Sequence, residues 1–60
     1  MQIRDVTVYS RQLFDEYGSK AIAVAAARAT EADAAGSADD ATTWRKIERT
    51  LIELRGPHQG

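Results

Sequence analysis

The chain has 60 residues, no cysteine, and a net charge of −1 from eight basic and nine acidic side chains. This length permits one small domain, which buries only about 60% of the surface that its unfolded chain exposes. The lack of cysteine excludes disulfides and thiolate metal sites. The near-neutral charge provides no overall field that would attract nucleic acid or an anionic membrane. Small domains without such staples often depend on a partner subunit, so we expect a homodimer or another protein partner.

No apolar run approaches the roughly 20 residues of a membrane span. Residues 1–5 also lack the apolar segment of a secretory signal. We therefore expect a cytoplasmic protein with no membrane association. Residues 1–60 are predicted to form a single small helical domain, with short flexible termini at residues 1–4 and 56–60.

The first predicted helix covers about residues 5–17. Its apolar side chains recur at the spacing of one helix face: Val6, Tyr9, Leu13 and Tyr17. Because residues 3–9 include several β-branched side chains, a short initial strand is an alternative. We favour a helix beyond Thr7, since the sequence offers no second strand with which a lone strand could pair.

The second predicted helix covers about residues 20–35, and nine of the fifteen residues from 21 to 35 are alanine. Alanine is the best helix former but has little side chain to bury. The face predicted to pack is small: Ile22, Ala25, Ala26, Ala29 and Ala32. We expect this helix to lie between or against the other two, where alanine allows two backbones to approach closely, within one chain or between two chains.

The third predicted helix covers about residues 38–55 and has the clearest apolar pattern. Large side chains repeat along one face, and Ile52 widens it: Trp44, Ile47, Leu51 and Leu54. Trp44 is the largest of them and is expected to dominate the core. On the outer surface, Arg45 with Glu48 and Arg49 with Glu53 have the spacing of ion pairs.

Glycine and serine mark the boundaries between the helices. Gly18-Ser19 and Gly36-Ser37 each predict a helix end followed by a capped helix start. Asp40 lies three residues after Ser37, as in a capping box. The third helix should end at Gly56, because Pro57 cannot continue it. The sequence thus predicts an all-α, compact three-helix domain with short Gly-Ser connections.

The chemistry available to this chain does not indicate an enzyme. Ser19 and Ser37 are explained as helix caps, and His58 lies in a glycine-flanked tail. Asp39 and Asp40 fall in the first turn of a helix, where negative charge is favoured by the helix dipole. We therefore predict no catalytic residue, no cofactor and no metal site.

Two surfaces are candidates for binding. Apolar side chains in excess of what a small core can hold predict a protein interface at Phe14, Val24 and Ile52. Phe14 has an equally weighted alternative, in which it simply widens the core face of the first helix. The second candidate is a nucleic-acid contact at Arg45, Lys46 and Arg49, where three cations share the last helix. Nucleic acid is the less favoured partner, because Glu48 and Glu53 interrupt the basic patch.

The chain resembles a family of short bacterial all-helical proteins of unknown function, seen mainly in alphaproteobacteria. The resemblance covers residues 9–55. The residues that carry it are Tyr17-Gly18, the alanine-rich pattern Ala25-Ala26-x-Arg28-Ala29, Gly36, the pattern Trp44-x-x-Ile47, and Ile52 with Leu54. Residues 32–35 depart from it, because relatives often have larger leucines there. The resemblance implies a small helical protein and transfers no site residues.

These observations predict a small protein-interaction or regulatory module that self-associates. The alternative is a small DNA-binding or transcription-associated factor that uses the basic residues of the third helix.

Overall fold

The computed structural model describes residues 5–56, which form three helices: α1 (Val6–Tyr17), α2 (Lys20–Ala34) and α3 (Ala38–Arg55). The predicted all-α three-helix fold is confirmed, and each helix boundary lies within one residue of its prediction. Residues 6–9 belong to α1, so a strand over them is wrong. The predicted flexible termini, apart from Gly56, lie outside the described residues. None of the three described helices is long and apolar enough to cross a membrane.

Helix starts differ from the prediction in how they are capped. The Asp5 carboxylate accepts hydrogen bonds from the backbone N–H groups of Thr7 and Val8, at 3.0 and 3.2 Å. In contrast, the side chains of Ser19 and Ser37 make no capping hydrogen bond. Ser19 already has helical backbone angles, whereas a capping residue has an extended backbone. The predicted serine caps are therefore wrong. Neither Ser19 nor Ser37 caps a helix with its side chain, and Ser37 does not form its half of the predicted capping box.

The end of α2 follows the glycine prediction closely. The N–H of Gly36 donates to the carbonyl of Asp33 at 3.0 Å, and the N–H of Ser37 donates to that of Ala32 at 2.8 Å. These two bonds define a Schellman motif, which needs a left-handed residue at the position of Gly36. Gly36 has φ of 79°. The backbone N–H of Ser37, rather than its hydroxyl, completes this connection.

Helix α3 is the centre of the fold, because it packs extensively on both α2 and α1 while those two touch each other least. Ile47 and Leu51 of α3 are completely buried, against Leu13 of α1 and alanines of α2. The sequence predicted that α2 lies between or against the other two helices. It packs against both of them, but α3 and not α2 lies between the other two. The large apolar side chains of α3 explain this order, since they are what both neighbours bury.

The alanine-rich helix meets the core through a narrow stripe. Ala21, Ala25 and Ala29 are four residues apart and have no exposed surface. Residues at this spacing lie on one helix face. Because α2 packs mainly on α3, these alanines mark a close approach of backbones within the chain. Because alanine has a small side chain, this stripe buries little apolar surface, as predicted.

Aromatic side chains flank the core instead of filling it. Trp44 is half-buried and packs against the core cluster, so the expectation that it dominates the core is wrong. Its ring meets Tyr9 edge to face. Tyr17, predicted on the packing face of α1, is exposed. The hydrophobic side chains of residues 5–56 that are fully buried are all aliphatic.

Candidate interaction surfaces on helix α3

The three predicted interface residues lie on three different helices. Phe14 is half-buried and packs against the core cluster, as in the alternative in which it widens the core face. Val24 is half-buried on α2. Only Ile52 is clearly exposed, with 41% of its surface accessible. Among the large aliphatic residues within 5–56, Val8 on α1 is also strongly exposed, at 52%.

Ile52 lies in a shallow depression of about 630 Å³ on the outer side of α3. We call this the Ile52 surface, and five residues line it: Arg45, Glu48, Arg49, Ile52 and Glu53. All five belong to one helix, so their relative positions are set by helix geometry. The surface therefore combines one apolar side chain with two positive and two negative ones.

The charges around Ile52 do not neutralise each other as the sequence predicted. Arg45 pairs with Asp33 of α2, with Nη2 and Oδ2 2.9 Å apart, and not with Glu48. Within residues 5–56, Arg49 and Glu53 form no ion pair with each other either. An exposed pair at this spacing contributes only a few tenths of a kcal/mol, so a pair on one helix competes little with a contact to a partner. Arg49 and Glu53 are therefore available to a partner.

A second depression, of about 550 Å³, lies where the start of α1 meets α3. We call it the basic groove, and its lining is Val6, Thr7, Thr42, Arg45, Lys46, Arg49 and Thr50. It brings together all three cations that the sequence nominated as nucleic-acid contacts. It also contains three threonines and no carboxylate. The helical spacing predicted the cluster on α3, whereas the contribution of α1 depends on packing and could not be read from the sequence.

The cations of the basic groove differ in how far they are neutralised. Arg45 is engaged by Asp33, as described above. Lys46 and Arg49 have no ion-pair partner within residues 5–56. The Thr50 hydroxyl donates to the backbone carbonyl of Lys46 at 3.0 Å, which leaves its oxygen as an acceptor. The groove thus presents two unneutralised cations close together on one helix.

The remaining polar chemistry offers no catalytic arrangement in the described part of the chain. Ser10 is completely buried in α1, and its hydroxyl has no hydrogen-bond partner there. A nucleophilic serine needs a base within hydrogen-bond reach, which Ser10 lacks. Residues 5–56 also contain no group of three or more His, Asp or Glu side chains that could hold a metal ion.

Comparison of the chain with protein-family models, with curated proteins and with solved structures gives no match. The resemblance to short alphaproteobacterial proteins stays a prediction.

Proposed function

We propose that this chain is a protein-interaction module that self-associates through the Ile52 surface. The observation that carries the proposal is the position of an exposed isoleucine between arginines and glutamates that are not paired with each other. A second copy of the same surface complements the first. The second copy offers an apolar side chain to pack on Ile52 and opposite charges to pair with the arginines and glutamates beside it.

The pairing follows from a two-fold axis perpendicular to α3. In such an interface the same patch is used on both copies, and every contact occurs twice. If two antiparallel α3 helices cross at the level of residue 51, residues 49 and 53 are equidistant from the axis. Arg49 of each copy then faces Glu53 of the other. The two Ile52 side chains lie near the axis, where they exclude water from each other.

The composition of the core also supports self-association, because one chain buries little apolar surface by itself. Among residues 5–56, seven hydrophobic residues are buried, and four of them are alanine: Leu13, Ala21, Ala25, Ala29, Ala41, Ile47 and Leu51. Each alanine contributes little, because hydrophobic stabilisation scales with the apolar area that is buried. A domain of this size with no disulfide gains stability when a partner covers its remaining apolar surface.

A charge-reversal series tests the antiparallel pairing. Arg49→Glu places two negative charges opposite each other at both ends of the interface, and Glu53→Arg does the same with positive charges. We expect each variant to raise the dimer dissociation constant about tenfold, because two contacts change from attraction to repulsion. The double variant restores opposite charges and should return to within about twofold of the original value.

Arg11→Glu is the matched control, since Arg11 is an exposed arginine on α1. It should leave the dissociation constant unchanged when measured by sedimentation equilibrium. Helix content, followed by circular dichroism, checks that every variant is folded. A double variant as weak as the two single variants would contradict the pairing, and equal weakening by Arg11→Glu would show a general charge effect.

A further inference from the structure

We propose that the basic groove is a binding site for a small ligand that carries a phosphate or diphosphate group. The site shares Arg45 and Arg49 with the Ile52 surface, but it does not require self-association. Lys46 lines only the groove, whereas Ile52 lines only the other surface. Variants at these two residues therefore test the two proposals separately.

The charge arrangement favours a compact anion. Arg45 and Arg49 are four residues apart, which is about 6 Å along a helix, and Lys46 lies between them. A phosphate group accepts hydrogen bonds from arginine in a forked geometry and from lysine as a point charge. No carboxylate belongs to the groove lining. Because the Asp33 carboxylate already lies 2.9 Å from Arg45, Lys46 and Arg49 supply most of the attraction that an anion meets there.

Two threonines, Thr7 and Thr42, line the same groove from two different helices. The backbone amides of Thr7 and Val8 are already occupied by Asp5, so an anion is bound by side chains and not by the start of α1. The groove is an open depression of about 550 Å³, so a group attached to the phosphate can extend into solvent.

The size of the patch argues against a long polyanion. Proteins that bind duplex DNA strongly contact about 6–10 phosphates, and this groove provides three cations. Glu48 and Glu53 lie on the same helix and would repel a strand that continued along α3. A ligand with one or two phosphate groups needs only Lys46 and Arg49, the two groove cations without an ion-pair partner within residues 5–56.

Titration with inorganic pyrophosphate, followed by amide chemical shifts at low ionic strength, tests the site. We expect the largest shifts in residues 42–50, and binding that weakens as salt is added. Lys46→Gln should weaken binding at least about threefold through the loss of one charge. Lys20→Gln is the control, because Lys20 is an exposed lysine on α2, and it should leave binding unchanged.

Asp33→Asn provides a test in the opposite direction. Its carboxylate holds Arg45 at 2.9 Å, so removing that charge should tighten pyrophosphate binding about twofold. An equal effect of Lys46→Gln and Lys20→Gln, or an absence of shifts in residues 42–50, would overturn the proposal. Duplex DNA that binds in a Lys46-dependent manner while pyrophosphate does not would overturn it too, and would identify the groove as a nucleic-acid contact.

Discussion

The rings of Tyr9 and Trp44 meet edge to face, with centroids 5.9 Å apart and planes inclined by 69°. This contact joins α1 to α3 at the margin of the core, where both side chains are half-buried. Helices α1 and α2 touch each other little, so α1 depends on α3 for its position. The aromatic pair is therefore a main attachment of the first helix.

A double-mutant cycle measures this attachment. Edge-to-face pairs contribute about 0.5–1.5 kcal/mol beyond the area they bury, and we expect a coupling of that size between Tyr9→Leu and Trp44→Leu. The free energies of unfolding come from urea titrations of the single and double variants. Additive effects would mean that the two rings are merely neighbours.

Ser10→Ala should stabilise the protein. The Ser10 hydroxyl is completely buried without a hydrogen-bond partner in the described part of the chain, and such a group costs about 1–3 kcal/mol. Alanine also has the higher helix propensity. We expect the free energy of unfolding to rise by about 1 kcal/mol.

Ser19→Ala serves as the comparison for Ser10→Ala, because Ser19 is exposed and makes no side-chain cap. Its effect should stay within about 0.5 kcal/mol of zero. Both values come from thermal or urea unfolding. A loss of stability in Ser10→Ala would show that the hydroxyl is bonded in solution.

The two connecting glycines should respond differently to substitution. A Cβ atom would meet nothing within 4 Å at Gly18 or Gly36, so only backbone strain matters. Gly18 has φ of 62° and ψ of −142°, close to a region that is essentially restricted to glycine and costs about 1–3 kcal/mol. Gly36 closes a Schellman motif, a position that asparagine also adopts.

We therefore expect Gly18→Ala and Gly18→Asn to be similarly destabilising, by about 1–3 kcal/mol. Gly36→Ala should cost about 1 kcal/mol, and Gly36→Asn should recover part of that loss. Urea unfolding of the four variants gives the comparison. Recovery by asparagine at position 18, or none at position 36, would contradict the backbone assignments.

The helices could be predicted from local signals, whereas their arrangement could not. Glycines and the spacing of Ile47, Leu51 and Leu54 are enough to place α3, because capping and periodicity depend on neighbouring residues only. That α3 lies in the centre, and that Trp44 stays at the margin, depends on how three surfaces pack together. Asp5 is a cap signal that the sequence does carry, an aspartate immediately before the first apolar residue of α1.

The candidate sites also depend partly on local signals and partly on packing between helices. Helical periodicity is sufficient to put Arg45, Lys46 and Arg49 together on α3. It cannot show that Thr7 of α1 joins them, or that Arg45 turns to Asp33 of α2. The apolar candidates differ in exposure. Phe14 packs against the core, whereas Ile52 is exposed to solvent. Such differences arise from contacts between helices, which a single sequence does not encode locally.

Light scattering coupled to gel filtration tests the central claim, self-association through the Ile52 surface, most directly. At high concentration the wild-type chain should have twice the monomer mass of 6.6 kDa, and Ile52→Glu should shift it to the monomer. Val8→Glu, at a strongly exposed aliphatic residue of α1, should leave the dimer intact. A wild-type chain that stays at 6.6 kDa at every concentration, or an Ile52→Glu variant as dimeric as Val8→Glu, would contradict the account.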